Sequence, residues 1–399
     1  MKADTMDPIT LGACFTFLKG VHVDFTPPPI PFRVRPSVAV RIHQGGEMTI
    51  RHPQTVLLDF PRSEQTSIFT ELGLPPFRLG QVRRWVFARK TVDFDAMSNL
   101  SKEHRRLLAE RFGDVFQGTV ISHTKASDST EKLLIEWSDG HCVECVLLRD
   151  DRNHRTACVS TQVGCAMNCA FCASGLDGFV RNLTRAEILE QILRLNALLP
   201  SQERLTHLVV MGTGEPLLNL DALLSALDDA TAPDGLDLSV RRVTISTVGI
   251  PSGIRTLADS VVRTGKGYKL AVSLHAPDDE LRSRIVPQNR FSGIDDILRA
   301  SDDYFAQTGR RVTFEYVLID GLNDRPEHAR QLAALLRNRT AIANVIPFNP
   351  IPELDFRPPS AVVVKRFVET LKLGGVQVKI RFRKGDGIDA ACGQLRRTR

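Results

Sequence analysis

Hydrophobic and polar positions in residues 151–375 alternate in a pattern typical of short strands followed by amphipathic helices. Because strands that alternate with helices form parallel sheets, the pattern predicts an α/β fold with a curved parallel sheet, a partial (β/α)6 barrel. The predicted strands are Ala157–Gln162, His207–Met211, Arg242–Thr247, Lys269–His275, Arg311–Ile319 and Ala343–Phe348. The predicted helices are Thr184–Leu199, Leu220–Asp229, Ile294–Ala306, Arg325–Leu336 and Ala361–Leu373.

The regions that flank this barrel have different patterns. Residues 61–115 carry apolar positions at helical spacing and predict a small helical domain, whose arginines either contact phosphates or form a solvated helix face. Residues 116–150 predict a β-hairpin extension around the turn Ser138-Asp139-Gly140. Residues 1–60 contain a proline run and little periodicity, so they are an extension without an assigned role. Residues 376–399 complete the chain as a C-terminal strand and tail.

Composition narrows the class of protein. A chain of 399 residues with 42% hydrophobic content can bury a large core. A net charge of +6 permits a polyanionic partner without requiring one. The longest apolar runs fall far short of the roughly 18 residues that cross a membrane, so we expect a cytoplasmic protein with no membrane partner. Most of the eight cysteines are crowded between Cys142 and Cys172, which favours metal or thiol chemistry over a disulfide framework.

Three of these cysteines, Cys165, Cys169 and Cys172, have C-x3-C-x2-C spacing just after the first predicted barrel strand. Three thiolates can hold three irons of a cubane cluster and leave the fourth iron open to a substrate. The alternative is a structural zinc site, which requires a fourth ligand and would need to recruit Cys142 or Cys145. Spacing alone does not identify the metal.

Polar groups and glycines follow several of the predicted strands. Such residues at strand ends let a ligand approach the backbone and offer it hydrogen bonds, although an isolated serine more often satisfies its own strand end. His275 is open between a ligand contact and a satisfied core histidine. The candidate ligand-binding residues are Gly214, Glu215, Ser246, Ser273, Leu274, His275 and Asn349.

Two further cysteines stand apart from the triplet. Cys158 precedes the triplet by seven residues, and Cys392 lies in the C-terminal segment Ala390-Ala391-Cys392-Gly393-Gln394-Leu395. A lone cysteine is more often inert than reactive. The interpretation of this pair therefore depends on the wider resemblance of the chain.

The cysteine triplet, with Phe171 before its last member, resembles the signature of the radical S-adenosylmethionine superfamily, and Gly214-Glu215-Pro216 resembles its G-E-P motif. The segments around Cys158 and Cys392 closely resemble the RlmN/Cfr family of RNA adenine methyltransferases. This resemblance runs from about Phe69 to Leu395. It includes Pro76-Phe77-Arg78, Asn99-Leu100-Ser101, Gly178-Phe179, Arg181-Asn182-Leu183 and Leu322-Asn323-Asp324.

The resemblance implies a role for each of these residues. The triplet would hold one 4Fe-4S cluster, and the strand-end residues would bind S-adenosylmethionine. Cys392 would be methylated by one cosubstrate molecule, and its methyl group would be activated by the radical made from a second. Cys158 would then release the product by forming a transient disulfide with Cys392. Glu144 matches the family position proposed for the base that removes the ring proton, and its alternative is an edge-strand carboxylate.

The family also implies partners and leaves some choices open. Its members act on 23S rRNA, many also on tRNA, and a flavodoxin or ferredoxin would donate electrons; we expect a monomer. The stretch Arg383-Lys384-Gly385-Asp386-Gly387-Ile388-Asp389 resembles members that methylate carbon 2 of adenine more than those that methylate carbon 8. Two other classes are weighed. One is another radical enzyme. The other is a non-catalytic RNA-binding protein that uses the helical domain and the basic residues near the chain end, which are Arg381, Arg383, Lys384, Arg396, Arg397 and Arg399. Neither class explains the paired Cys158 and Cys392.

Overall fold

The protein is described by a computed structural model that covers residues 56–381, 385 and 387–395. The extension predicted for residues 1–60 therefore lies outside the described residues up to residue 55. The N-terminal described part is helical, and α2 continues into a π-helical turn at Arg84–Ala88. Its helices are α1 (Arg62–Glu71), α2 (Phe77–Arg83) and α3 (Lys102–Phe112).

The strands form one large mixed sheet and one small sheet. They are β1 (Thr119–Lys125), β2 (Glu131–Glu136), β3 (Cys142–Arg149), β4 (Arg155–Cys158), β5 (Gln162–Gly164), β6 (Phe179–Asn182), β7 (His207–Val210), β8 (Val243–Thr247), β9 (Lys269–Ser273), β10 (Val312–Leu318), β11 (Ala341–Pro347) and β12 (Val378–Ile380). In the large sheet, β1 to β4 pair antiparallel in sequence, and β4 then begins a parallel series in the order β4-β7-β8-β9-β10-β11-β12. Strands β5 and β6 pair with each other.

The predicted α/β class is confirmed, and all six predicted barrel strands are present with ends that differ by a few residues. The predicted hairpin is a three-stranded meander, because β1 pairs with β2 as well as β2 with β3. The seven later helices are α4 (Arg185–Ala197), α5 (Leu220–Thr231), α6 (Pro251–Thr264), α7 (Asp279–Ile285), α8 (Ile294–Thr308), α9 (Pro326–Leu336) and α10 (Ala361–Leu373). Of these, α6 and α7 were not predicted.

The described helices near the N-terminus join the barrel through buried charge as well as apolar packing. Arg83 at the end of α2 donates to Asp229 on α5 at 2.8 Å and to Asp234 at 2.9 Å. Arg185 on α4 donates to the other oxygen of Asp229. Arg83 and Asp229 are almost fully buried. Because breaking such a pair strands a charge in a low-dielectric interior, this contact fixes the helical part against the sheet.

The parallel strands run so that their carboxyl ends meet at one edge of the sheet, where chemistry is found in related α/β folds. The segments that follow β4, β7, β8, β9 and β11 all reach this edge. None of the helices in the described residues combines the length and the apolar character needed to span a bilayer.

Candidate active site

The loop that carries the cysteine triplet is closed by a tight backbone contact after β5. Gly164 has a φ of +74°, and a Cβ there would stand 1.8 Å from the carbonyl oxygen of Gly178. The next amide, of Cys165, donates to that same carbonyl at 3.1 Å. Only glycine permits this approach, so Gly164 sets the direction in which Cys165 enters the site.

All three thiols of the triplet line one cavity at the carboxyl edge of the sheet, packed beside Met167 and Phe171. Burial raises the pKa of each thiol, to about 12 for Cys165. Main-chain amides of Met167 and Gly214 nevertheless donate to the Cys165 sulfur, and Ser174 and Gly175 donate to Cys172. Such hydrogen bonds to sulfur are a means by which proteins tune iron–sulfur clusters. The donor set therefore fits a cubane cluster held by three thiolates.

The β-strand extension of residues 116–150 does not supply the fourth ligand that a structural zinc site would need. Cys142 and Cys145 are three residues apart on β3, so their side chains point to opposite faces of the sheet. Neither lines the cavity with the triplet. Across the described ranges, no three histidine, cysteine, aspartate or glutamate side chains converge as ligands of a single ion. A cubane does not require such convergence, because each thiolate binds a different iron.

Gly214 and Glu215 follow β7 and line the same cavity. A Cβ at Gly214, whose φ is +110°, would meet Gln162 at 2.6 Å. The Glu215 carboxylate is buried and accepts from the amides of Leu217 at 3.0 Å and Val248 at 2.7 Å. It thus joins the ends of β7 and β8, which the sequence did not reveal.

The two serines also face this cavity, whereas Leu274 does not. The hydroxyls of Ser246 and Ser273 make no hydrogen bond within the described part of the chain, so the local capping considered for them is not observed there. The side chain of Leu274 is fully buried in the main core, and its carbonyl accepts from Arg282 at 3.1 Å. Of the neighbouring pair, Ser273 is therefore the residue whose side chain is available to a ligand.

His275 is satisfied within the core and also lines the cavity. Its Nδ1 accepts from the amide of Val317 at 3.0 Å, and its ring meets Phe171 edge-on at 4.6 Å between centroids. Burial, followed by the nearby Arg282 charge, lowers the pKa of His275 to about 3. The ring is therefore neutral, and only Nε2 remains to serve a ligand in the cavity that it lines. A φ of +60° at this non-glycine residue is the kind of strain found at functional sites.

Cys392 is brought to the cavity by a segment that docks on the triplet loop. The Ala173 amide donates to the Gly393 carbonyl at 2.7 Å, and the Ser174 hydroxyl donates to the Leu395 carbonyl at 2.7 Å. The Asn349 side chain, which follows β11, donates to the Cys392 carbonyl at 2.9 Å. Cys392 lines the cavity beside the triplet as a result.

A second cavity lies on the other side of Cys392 and contains Cys158. Cys158 ends β4, and burial raises its pKa to about 12, with a smaller contribution from Cys392. Both thiols are free, as are the other five cysteines in the described residues. The two cavities share five wall residues, which are Met211, Ile346, Asn349, Arg381 and Cys392.

Glu144 lies on β3, which pairs with β2 on one side and β4 on the other. It is therefore not on an edge strand, and its side chain is buried. The ammonium of Lys132 lies 2.8 Å from the Glu144 carboxylate and also donates to the Asp389 carbonyl at 3.3 Å. This lysine links Glu144 to the segment that bears Cys392.

Sequence reasoning missed Lys132 and Glu315, which have no local signal, and placed Arg381 only among the basic residues near the chain end. Glu315 on β10 lines the cavity of the triplet and accepts from Asn344 at 2.7 Å. The remaining basic residues proposed near the chain end lie outside the described residues; they are Arg383, Lys384, Arg396, Arg397 and Arg399.

Comparison with known proteins agrees with this geometry. The profile of the Radical SAM superfamily matches residues 159–333, and that of the ribosomal RNA large subunit methyltransferase N-terminal domain matches residues 55–113. A probable dual-specificity RNA methyltransferase RlmN of Rhodopirellula baltica is 53% identical over 86% of this chain and 91% of its own length. Its counterpart from Desulforamulus reducens is 44% identical over 86% and 95%.

A solved structure shows the same relationship. A radical SAM methyltransferase from Sphaerobacter thermophilus superposes with a TM-score of 0.82 at 40% identity, over 86% of this chain and 99% of that one. The fold and the cysteine-lined cavity define a radical SAM enzyme. Within that class, the chain belongs to the RlmN family and is a methyltransferase.

Proposed function

We propose that this enzyme methylates carbon 2 of an adenine in 23S rRNA, and also in tRNA, through two thiols that act in turn. The observation that carries the proposal is the position of Cys392, which lines both the cavity of the triplet and the cavity of Cys158. A methyl group on Cys392 can thus be activated on one side and released on the other. The relatives are named probable dual-specificity RNA methyltransferases, which supports two kinds of RNA substrate.

The cavity of the triplet is the proposed site for S-adenosylmethionine. Cys165, Cys169 and Cys172 would hold a 4Fe-4S cluster, which when bound supplies the electron that cleaves the cosubstrate to methionine and a 5′-deoxyadenosyl radical. Gly214, Glu215, Ser246, Ser273, His275 and Asn349 would bind the cosubstrate, with Leu274 contributing backbone only. The unpartnered hydroxyls of Ser246 and Ser273 support this assignment.

Cys392 acts first as a nucleophile and then as a carbon carrier. Its thiolate displaces the methyl group of one cosubstrate molecule, forming a C–S bond and releasing S-adenosylhomocysteine. The methyl group then gives up one hydrogen atom to the radical from a second molecule. The remaining methylene carbon adds to carbon 2 of adenine, a carbon without an acidic hydrogen, and joins RNA to protein.

Glu144 and Cys158 complete the reaction. Glu144 accepts the original proton of carbon 2, and the ammonium of Lys132 holds its carboxylate at 2.8 Å. The Cys158 thiolate attacks the sulfur of Cys392, so that an S–S bond forms as the C–S bond to the product breaks. The methylene carbon takes up a proton to become methyl, and the unpaired electron passes to a one-electron carrier protein. Two-electron reduction of the disulfide restores both thiols.

Methylation of carbon 8 is the second candidate, because the family members with that activity would use the same two thiols. The preference for carbon 2 rests on the resemblance of residues 383–389 to the carbon 2 members, from which the chain departs at Gly387, where a second aspartate is common. We further propose a cytoplasmic monomer that takes its electrons from a flavodoxin or ferredoxin.

The experiment is anaerobic reconstitution with iron and sulfide, followed by S-adenosylmethionine, reductant and either 23S rRNA or tRNA, with mass spectrometry of the nucleosides. We expect 2-methyladenosine from both RNAs. Detection of 8-methyladenosine would assign the carbon 8 activity, and neither nucleoside from an enzyme with an intact cluster would refute the RNA substrate.

A further inference from the structure

Arg381 stands between the two reactive thiols. It directly follows β12, and its amide donates to the Val345 carbonyl at 2.9 Å, which extends the pairing with β11. Its guanidinium is in the wall that separates the two cavities, and Nη1 donates to the Met211 sulfur at 3.3 Å. Its position is therefore fixed by the sheet and not by the loop that carries Cys392.

The surroundings of Arg381 are two thiols and one carboxylate. The charge of Cys392 is the main cause of the raised pKa of Arg381; burial opposes the rise, and the charges of Glu315 and Cys158 and a hydrogen bond to the Cys392 sulfur add to it. Glu315 is itself held by Asn344 at 2.7 Å. The guanidinium stays protonated in this setting and cannot act as a base. What it can do is stabilise an anion beside it.

Cys158 needs such stabilisation. The charges that act on it are those of Cys392 on the C-terminal segment and Arg381 beyond β12. Lys132 on β2 and Glu144 on β3 lie on the same face of the sheet but pair with each other at 2.8 Å, and Cys145 points to the opposite face. Burial and the neighbouring Cys392 disfavour the Cys158 thiolate, whereas Arg381 favours it. A nucleophilic thiol reacts as the thiolate, so among the facing groups of the described residues Arg381 is the charge that assists it.

The chemical state of Cys392 decides when this help is available. The sulfur of a free Cys392 can carry the negative charge that attracts Arg381. Once Cys392 carries carbon it is a thioether, which has no proton to lose and cannot carry that charge. The guanidinium then has one remaining thiol beside it, which is Cys158.

We propose that Arg381 is a catalytic residue of the release step, which stabilises the Cys158 thiolate as it attacks the sulfur of Cys392. The S–S bond forms and the C–S bond to the RNA breaks as described above, and Arg381 keeps its proton throughout. The inference rests on the two-thiol mechanism of the proposed function.

The test compares Arg381→Met, which removes the charge, with Arg381→Lys, which keeps it. The matched control is Arg299→Met, because Arg299 is an exposed residue on α8. Each reconstituted holoenzyme is given S-adenosylmethionine, RNA and reductant for a single turnover. Denaturing gels then follow the covalent RNA–protein species, and peptide mass spectrometry measures methylation of Cys392 in the same samples.

We expect Arg381→Met to form the covalent species and to resolve it roughly tenfold more slowly or worse, since an adjacent opposite charge shifts an ionisation by about 1–3 pH units. Its release rate should increase as the pH is raised, because more of Cys158 is then thiolate. Arg381→Lys and Arg299→Met should release product at rates near that of the wild type, which separates lost charge from lost structure.

Two results would overturn the inference. One is release at the wild-type rate in Arg381→Met, and the other is a defect confined to the methylation of Cys392. Failure of the wild type to yield any methyladenosine would instead refute the proposed function, so the two failures are distinguishable.

Discussion

The main-chain amide of Ala173 donates a 2.7 Å hydrogen bond to the carbonyl of Gly393. Ala173 directly follows the last cysteine of the triplet, and Gly393 directly follows Cys392. Because the bond joins two backbones, it does not depend on either side chain. The separation between the proposed cluster ligands and Cys392, the proposed methyl-accepting thiol, is thereby set by the fold.

Replacing Cys392 with alanine should abolish RNA methylation without loss of iron, because the proposed cluster ligands are other residues. Iron content and methyladenosine are measured on the same reconstituted sample. Cys142→Ala is the control, since Cys142 is buried on β3 away from both cavities. Residual methyladenosine from the Cys392→Ala enzyme would contradict the role of this thiol.

Replacing Cys158 with alanine should leave the chemistry at Cys392 intact and block release. We therefore expect a covalent RNA–protein species that survives denaturation and disappears on digestion with nuclease and protease. Gel electrophoresis of labelled RNA detects it. Normal turnover by this variant would refute the two-thiol mechanism.

Gly164→Ala should impair folding of the triplet loop. The substitution forces an L-residue into a left-handed conformation, which costs about 1–2 kcal/mol, and sets a Cβ against the Gly178 carbonyl at 1.8 Å. We expect a lower melting temperature and a lower iron content after reconstitution. Gly178→Ala is the control, because a Cβ there meets nothing within 4 Å although its φ of +67° is similar. Equal losses in the two variants would show that backbone strain alone is responsible.

Asp229→Ala should lower the free energy of unfolding by about 3–5 kcal/mol, the typical cost of removing one partner of a buried ion pair. It leaves Arg83 and Arg185 without their shared carboxylate. The neighbouring Asp228 is 61% exposed and pairs with Lys266 at the surface, so Asp228→Ala should have little effect. Urea denaturation of both variants measures the difference, and similar midpoints would contradict the assigned contact.

His275 should make stability fall as the pH decreases below about 6.5. The pKa of His275 is about 3 in the folded protein and 6.5 in a free histidine, so between these values the unfolded chain binds a proton that the folded chain does not. The loss is at most about 1.4 kcal/mol per pH unit. Denaturation curves from pH 7 to 5 should show a shallower slope for His275→Gln. An unchanged slope would mean that other groups dominate acid unfolding.

Local patterns were enough to predict the six barrel strands and the fold class. Helix α6 was missed although Ile254, Leu257, Ala258 and Val261 have helical spacing, because glycine, serine and threonine in Pro251–Thr264 dilute the signal. An edge-strand position was the alternative for Glu144, because nothing in the sequence shows that β3 pairs with β4.

The contacts that define the site chemically were beyond sequence reasoning. Lys132 meets the carbonyl of Asp389 across 257 positions of the chain, and Ser174 meets that of Leu395 across 221. Strand pairing and barrel curvature create such neighbours, and no period or spacing encodes them. The use of both Glu215 oxygens within the protein was hidden for the same reason.

The antiparallel pairing of β3 with β4 puts Val146 opposite Cys158 and so orients Glu144, two residues away, toward the same face. The register of β3 against β4 therefore decides which β3 side chains share a face with Cys158. A single deletion inside β3 would turn Cys145 toward Cys158 and Glu144 away from it. A change of length in the turn after Arg149 would leave both side chains on their present faces. Insertions and deletions should accordingly be tolerated in the turn between β3 and β4 but not within either strand.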